Sequence, residues 1–521
     1  MIMTRFTRAA GVLVTIALLA GCGSLDVVNP NAPDAKRALS DPTALEAVAG
    51  GTMRTWFKAY DGCEGNCVLV TQAQTYSASW NHWNMNFYSS SDADGKRLSR
   101  PWQNDPAAAG RTSIEVPWGG MYATISSAVD VLKAIRITKT VINNASDTKR
   151  AEVIAEFMLG ASLSYIALNY DKGYIVDENT DVTTLVYSNR KQVRDAAIAK
   201  LQSAATAAKA ASFTTIAGWT NGQTYTSAQI AQIANTLSAI TLAYYPRNAA
   251  ENTAVAWPQV LTYTNSGMSS GTPVDFVFIG DGCVSFCHEI LTWFNEVDTG
   301  RVHTRVANLM DPATQTTPWP LTGNPAPNSA DKRMGDGSFG DASIVDGFGS
   351  NPKTANAGTD FMYSRQAIFR PSRGSYHQSN IGHIRYDKSG IQDPGGIYGG
   401  FGPAPVISAG QNDLLKAEAS LRGGDLATAV TLINKTRVGR GGLAPASVAD
   451  GVAVLTDKLG YENEIELLGL GAATFYWRRR TDALLAGTPH EMPVPAKELG
   501  VKGEALYTWG GTGPLNSATP P

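Results

Sequence analysis

The feature that most constrains the fold is a helical pattern of apolar residues that recurs along most of the chain. It is clearest between residues 411 and 442, where Leu414, Ala417 and Leu421 repeat at i, i+3 and i+7, a "GGD" turn follows, and a second series begins at Leu426. Apolar side chains at this spacing fall on one face of an α-helix. The sequence therefore predicts two helices that pack against each other across a tight turn.

Two earlier segments, 147–210 and 226–264, contain helix pairs of similar proportions. A pair of this length, with small residues and a short turn, resembles a tetratricopeptide unit. Residues 265–410 differ, because they are rich in Gly, Pro, Asn and Asp and have few periodic stretches. Two segments within them, 274–280 and 395–406, look like strand or loop. Long loops of this kind often carry function. We therefore expect a mostly α fold, in which tetratricopeptide-like helix pairs form a scaffold and long irregular loops with a few short strands carry the ligand site.

The first residues have the pattern of an export signal. Arg5 and Arg8 precede the apolar run "AAGVLVTIALLAGC", which is shorter than the roughly 20 residues that a membrane-spanning helix needs. The run ends in "LAGC", which resembles the lipobox of bacterial lipoproteins. That resemblance implies cleavage before Cys22 and a covalent lipid on its thiol. An ordinary signal peptide with a chance cysteine is the alternative.

These patterns divide the chain into three segments. Residues 1–21 form the predicted lipoprotein signal peptide, 22–38 a tether, and 39–521 a single α-helical domain. Within that domain we distinguish a helical part (39–264), a loop-rich insertion (265–410), a helical C-terminal part (411–500) and a tail (501–521).

Composition and charge argue against a nucleic-acid-binding function. The formal net charge is −2 and charged residues make up 17% of the chain, whereas a nucleic-acid binder shows a strong basic bias. Besides Cys22 the chain has four cysteines. An even number of cysteines in an exported protein favours disulfides over free thiols.

The four cysteines lie in two clusters, "DGCEGNC" and "DGCVSFCHEI". Haem attachment requires C-x-x-C-H, and here three residues separate the cysteines. A four-thiolate zinc site would require reduced cysteines in an oxidising compartment. We predict two local disulfides, Cys63–Cys67 and Cys283–Cys287, and a cross-link between the clusters remains the alternative. His288 receives no role.

The stretch "TYSASWNHWNMNFYSSSD" combines aromatic rings with amides. Flat rings suit the apolar faces of sugars, and amides offer a donor and an acceptor to hydroxyls. An equally good explanation is a buried helical stripe, because Trp80, Trp83 and Phe87 are spaced at i, i+3 and i+7. The candidate ligand-binding residues, including three from elsewhere in the sequence, are Tyr76, Trp80, Asn81, Trp83, Asn84, Tyr88, Trp102, Trp293 and Trp319.

Other motifs carry less weight. "GMSSG" would make Ser269 a nucleophile, but the segment that follows is a poor helix. Asp92 and Asp94 precede a glycine as in a calcium loop but lack the terminal Glu, so a solvated turn is favoured over a calcium site. We expect no cofactor apart from the lipid on Cys22.

The order of features along the chain resembles the SusD/RagB family of outer-membrane nutrient-binding lipoproteins. A lipobox and "LDVVNPNAPDA" precede a helical body, then "DLLKAEASLRGGD" and "LINKTR". Near the end come a Glu-rich helix, an arginine cluster followed by Asp, and a "PVP…E" segment. The residues concerned are Glu462, Glu464, Glu466, Arg478, Arg479, Arg480, Asp482, Pro493, Pro495 and Glu498. The arginines could bind an anion, but pairing with carboxylates such as Asp482, Glu462 or Glu466 is the simpler expectation.

The resemblance implies a non-catalytic protein, lipid-anchored at the outer membrane and facing the cell surface. It implies capture of oligosaccharides, or of peptides, and their delivery to a SusC-type TonB-dependent transporter. The alternatives are a lipid-anchored polysaccharide hydrolase and a helical-repeat adaptor that binds only protein.

Overall fold

The computed structural model describes residues 40–272, 274–294, 300–321, 324–334, 358–363, 371–383, 385–386 and 400–511. The predicted signal peptide, the tether and Cys22 lie outside these residues. The described helices, in chain order, are α1 (Pro42–Asp61), α2 (Val68–Gln72), α3 (Met85–Tyr88), α4 (Thr112–Leu132), α5 (Ala145–Asn169), α6 (Arg190–Lys209), α7 (Ser227–Tyr244), α8 (Ala249–Thr253), α9 (Trp257–Asn265), α10 (Glu289–Phe294), α11 (Thr304–Met310), α12 (Ala409–Arg422), α13 (Leu426–Arg437), α14 (Gly451–Ile465), α15 (Ala473–Arg480) and α16 (Ala496–Lys502).

The long helices pack against their neighbours in the sequence, as the predicted scaffold requires. Helix α1 packs on α4, α4 on α5, α5 on α6 and α6 on α7, and α12 packs on α13. Small residues permit close approach: a Cβ on Gly160 of α5 would lie 2.9 Å from the backbone nitrogen of Leu201 in α6. The predicted mostly α architecture is confirmed.

The helix ends are fixed by local side-chain hydrogen bonds. The Asp41 carboxylate accepts the backbone N–H of Thr43 at 2.8 Å, which caps α1. Asn189 and Gln192 form a reciprocal capping box at the start of α6. Such bonds satisfy backbone donors that have no partner within the helix.

Within the described part of the chain, the strands form four two-stranded antiparallel sheets. They are β1 (Tyr76–Ala78), β2 (Lys172–Gly173), β3 (Ser188–Asn189), β4 (Phe276–Asp281), β5 (Gly300–Val302), β6 (Phe361–Tyr363), β7 (Ile381–His383) and β8 (Phe401–Ile407), paired β1 with β5, β2 with β3, β4 with β8 and β6 with β7. The segment expected at 274–280 overlaps β4, and the described part of the segment expected at 395–406 overlaps β8; the two strands pair with each other, and 395–399 lie outside the described residues.

Strand β4 links the loop-rich region to the helical core. Its side chains alternate in burial, and Phe276 and Phe278 face inwards. The Phe278 ring stacks on that of Phe57 in α1, with centroids 4.3 Å apart. Period-two burial is the mark of a strand with one buried face, so β4 places the segment that follows it directly beside α1.

Helix α5 is long and apolar enough to cross a membrane by composition, but 94% of its most apolar window is buried within the protein. It lies at the centre of the scaffold, between α4 and α6. A helix that is apolar on all sides is expected at the core of a large domain.

The arginine run of α15 is buried and structural. Arg480 pairs with Glu418 at 2.5 Å, and Arg478 lies 3.3 Å from Glu464. Arg479 donates instead to main-chain carbonyls, among them those of Leu168 at 2.9 Å and Tyr244 at 2.8 Å. These carbonyls belong to the last turns of α5 and α7, where acceptors lack helical partners and attract positive charge.

The predicted carboxylate partners of that run were wrong. Glu462 and Glu466 pair with Arg333 instead, at 2.8 and 3.2 Å. The Asp482 carboxylate accepts the backbone N–H of Ala249 at 3.1 Å. The prediction chose carboxylates that are close to the arginines in the sequence. The fold instead brings Arg480 against Glu418 of α12.

Candidate functional site

A cleft of about 880 Å³ opens between α1, α4, α10 and the loop that follows β4. Two tryptophans, Trp83 and Trp293, line it, and we call it the Trp83–Trp293 cleft. Its other lining residues include Arg54, Phe57, Lys58, Glu64, Val116, Gly119, Val284, Ser285 and Glu289. Pockets of this size, largely apolar with a few polar groups, are typical of small-molecule sites.

The two cysteine clusters form local disulfides, Cys63–Cys67 and Cys283–Cys287, as predicted from the sequence. The four sulfurs are therefore bonded in two pairs and cannot serve zinc or haem. The first bridge lies in a buried π-helical turn between α1 and α2. The second bridge borders the cleft, and Glu64 of the loop closed by the first bridge also lines it. The loops closed by both bridges are therefore next to the candidate site.

The loop closed by Cys283–Cys287 has a defined shape. The Asp281 carboxylate accepts the backbone N–H groups of Val284, Ser285 and Phe286 at 2.9 to 3.0 Å. The Arg54 guanidinium donates to the Ser285 hydroxyl at 3.0 Å across the cleft mouth. Because the Asp281 carboxylate accepts three backbone N–H groups of the loop, these hydrogen bonds fix the shape of the rim in the absence of a ligand.

Trp83 is directed into the cleft by an unusual backbone. Its φ is 51° and that of Asn84 is 62°, and bulky residues rarely adopt such left-handed angles. The alternative explanation, a single helical stripe of Trp80, Trp83 and Phe87, is therefore wrong: a 3₁₀ turn over His82–Asn84 separates Trp80 from α3.

The two indoles meet around a histidine. The Trp83 and Trp293 rings lie edge to face with centroids 6.5 Å apart. The His82 ring stacks on Trp83 at 4.9 Å and meets Trp293 edge-on at 4.0 Å. Burial lowers the pKa of His82, so this imidazole is neutral near pH 7 and the cluster adds no positive charge.

Two carboxyl groups line the same cleft. The pKa of Glu289 is raised to about 8, mainly because the carboxyl group is buried. The nearby carboxylates Glu64 and Asp61 also raise it, whereas the hydrogen bond from the Cys63 backbone N–H, at 2.8 Å, lowers it. Burial also raises the pKa of Glu64. Glu289 therefore holds its proton over much of the neutral range and can donate as well as accept.

Three of the predicted ligand-binding rings belong to the core instead. Tyr76, Tyr88 and Trp102 are at most 2% exposed. Tyr76 stacks on Phe294 at 4.4 Å, and the Trp102 indole N–H donates to the carbonyl of Glu491 at 2.9 Å. A ring enclosed on both faces has none for a ligand, so these three assignments are corrected.

The remaining predicted residues lie outside the cleft. Trp80 lies under the Arg373 guanidinium at 4.7 Å, and Trp319 under that of Arg97 at 4.8 Å.

Of the two candidate asparagines, Asn84 donates to the Thr112 hydroxyl at 3.0 Å, which ties its turn to α4. Asn81 is exposed. Only Trp83 and Trp293 of the predicted set face the cleft.

Two other sequence motifs are parts of turns. The Asp92 carboxylate accepts the backbone N–H of Lys96 at 2.8 Å and that of Asp94 at 3.1 Å. The Ser269 hydroxyl accepts the N–H of Gly271 at 3.3 Å. Within the described part of the chain, no three His, Cys, Asp or Glu residues converge as a metal site.

Sequence reasoning missed the charged lining of the cleft. Arg54 and Lys58 lie one turn apart on α1, Glu64 belongs to the first cysteine cluster, and Glu289 directly follows His288. Nothing in their local sequence distinguishes them from surface residues. Their proximity depends on β4 and α10 packing beside α1, which is a long-range property.

Comparison with solved structures identifies the architecture. A SusD homologue from Bacteroides thetaiotaomicron matches with a TM-score of 0.55 and 11% identity over 91% of this chain and 97% of its own. A SusD-like carbohydrate-binding protein from Bacteroides fragilis matches at 0.54 and 12% identity, over 85% and 86%. A SusD-like carbohydrate-binding protein from Bacteroides vulgatus matches at 0.52 and 12%, over 84% and 82%.

Sequence comparison alone finds neither a matching family model nor a matching curated protein. The likeness is therefore one of fold, and it extends over most of both chains. The resemblance expected from the order of sequence features is confirmed at that level: this protein has the SusD-like fold.

Proposed function

We propose that this protein binds oligosaccharides in the Trp83–Trp293 cleft and acts without catalysis. The observation that carries the proposal is the pair of indoles in a cleft of about 880 Å³, on a fold shared with proteins described as carbohydrate-binding. Indole faces give large contact area to the apolar face of a sugar ring.

The polar lining suits hydroxyl groups. Glu64 and Glu289 offer acceptors, protonated Glu289 also offers a donor, and Ser285 lies at the rim. A sugar hydroxyl both donates and accepts hydrogen bonds, so a lining with donors and acceptors satisfies it better than a lining with acceptors alone. Val116 and Val284 supply apolar surface around these groups, which is the composition that ligand pockets usually show.

We further propose that the protein is anchored by lipid on Cys22 at the outer-membrane surface and delivers its ligand to a SusC-type TonB-dependent transporter. The support is the "LAGC" sequence and the SusD-like fold. Labelling with a fatty-acid analogue tests the anchor, because a Cys22→Ser variant should lose the label. Protease treatment of intact cells tests the surface location.

The binding proposal is tested with the soluble chain that begins after the predicted tether. Titration calorimetry against neutral oligosaccharides and against peptides of similar length should give saturable binding to at least one neutral glycan and to no peptide. A parallel assay for released reducing ends should show none. Binding to peptides alone, or steady product release from a polysaccharide, would contradict the proposal.

A further inference from the structure

The two carboxyl groups of the cleft are partly withdrawn from solvent. Glu64 and Glu289 are half-buried, yet among the described residues neither forms an ion pair with a lysine or arginine. Several buried carboxylates elsewhere are paired, for example Glu418 with Arg480 at 2.5 Å. Withdrawing a carboxyl from water is unfavourable unless a partner compensates.

Two cations, Arg54 and Lys58, line the same cleft, but among the described residues neither forms an ion pair with Glu289. On α1, Asp61 already accepts the Glu289 backbone N–H at 2.8 Å and lies 3.2 Å from the His288 ring. Lys58, also on α1, lowers the pKa of both glutamates but forms no ion pair with either. The lining from α4, which includes Val116 and Gly119, is uncharged.

The indoles of the same cleft also favour a cationic ligand group. A cation over the face of a tryptophan is attracted by the ring quadrupole, and the attraction grows when the pair is shielded from water. The nearby His82 is neutral near pH 7 because burial lowers its pKa, so it does not repel a cation.

We propose that the cleft binds an oligosaccharide that carries a protonated amine, and that Glu64 and Glu289 recognise that amine while Trp83 and Trp293 contact the adjoining ring. This inference rests on the proposed glycan-binding function. The pKa of Glu289, about 8 without ligand, should fall when an ammonium group arrives, because an opposite charge favours the ionised carboxylate.

The test compares two oligosaccharides of equal length, one of glucosamine and one of N-acetylglucosamine, by calorimetry with the soluble chain at pH 7. A charge-assisted hydrogen bond in a shielded site is strong, so the glucosamine oligomer should bind about tenfold more tightly or better. Glu64→Gln and Glu289→Gln should each reduce that preference, because each variant weakens binding of the glucosamine oligomer more than binding of the acetylated oligomer. Glu115→Gln is the control, since Glu115 pairs with Arg111 at 3.4 Å outside the cleft.

Equal affinity of the unmodified chain for the two oligomers would overturn this inference while leaving glycan binding intact. A preference that survives in both glutamine variants would also overturn it, because the amine would then be recognised elsewhere. Failure of both oligomers and of the neutral panel to bind would overturn the proposed function itself.

Discussion

Two regions of this protein use the same residue types in opposite ways. Around Arg333 the guanidinium is fully buried and contacts Asp331 and Glu462, each at 2.8 Å. In the Trp83–Trp293 cleft, Arg54 and Glu289 line one cavity without pairing. The charges around Arg333 satisfy each other, whereas those of the proposed binding cleft do not form ion pairs with each other.

Breaking the Arg333 network should give the largest effect. Arg333→Ala would leave buried carboxylates without their counter-charge, which costs about 3–5 kcal/mol in the free energy of unfolding. Chemical denaturation of the soluble chain measures this. Arg54→Ala is the matched control and should change stability by about 0.5 kcal/mol or less, because its guanidinium is exposed. Similar losses in both variants would remove the distinction between the regions.

The next prediction removes an indole from the cleft. Trp83→Ala or Trp293→Ala should each weaken glycan binding by about 2 kcal/mol, or roughly 30-fold, as central aromatic contacts do. Trp319→Ala serves as control, because that half-buried indole lies outside the cleft under Arg97. If the Trp319 variant lost as much affinity as the other two, the cleft would not be the site.

Opening the rim disulfide should have a smaller effect on stability. A bridge between residues only four apart constrains the unfolded chain weakly, so the Cys283→Ser/Cys287→Ser pair should cost about 2 kcal/mol. Glycan affinity should fall as well, because both cysteines line the cleft. Denaturation and calorimetry on the same sample check the two effects. Unchanged affinity would show that the rim has no part in binding.

A further prediction concerns the part of the pH dependence of stability that comes from Glu289. Its pKa is raised from 4.5 to about 8 in the folded protein, so the folded state binds the extra proton between those values. Stability from this group is therefore full below about pH 4.5 and declines as the pH rises to about 8, at no more than about 1.4 kcal/mol per pH unit. Glu289→Gln should remove that part of the decline in denaturation measured from pH 5 to 9. An identical pH profile in the variant would contradict the assignment.

The helical scaffold could be predicted because its signals are local. Leu414, Ala417 and Leu421 define α12 from spacing alone, and the turn that follows separates it from α13. The segments that became β4 and β8 were recognisable from their composition. Their pairing was not, because more than 100 residues separate them and no local signal specifies a partner.

The candidate site could be predicted only in part, because buried aromatics and aromatics that face the cleft have the same composition. Tyr76 and Trp83 are seven residues apart in one aromatic stretch. Tyr76 is buried because β1 pairs with β5, whereas the positive φ of Trp83 turns that ring towards the cleft. Both outcomes depend on tertiary contacts, and so does the approach of Glu289 to α1.

The central claim, that the Trp83–Trp293 cleft is the ligand site, is tested most directly by filling it from α4. A side chain at Gly119 would enter open space within the cleft, and one at Gly51 of α1 would enter open space outside it. Both glycines are exposed positions within helices, so Gly119→Trp and Gly51→Trp should fold at least as stably as the parent chain. We predict that Gly119→Trp weakens glycan binding about tenfold or more and that Gly51→Trp leaves it unchanged. Full affinity in a folded Gly119→Trp variant would contradict the account.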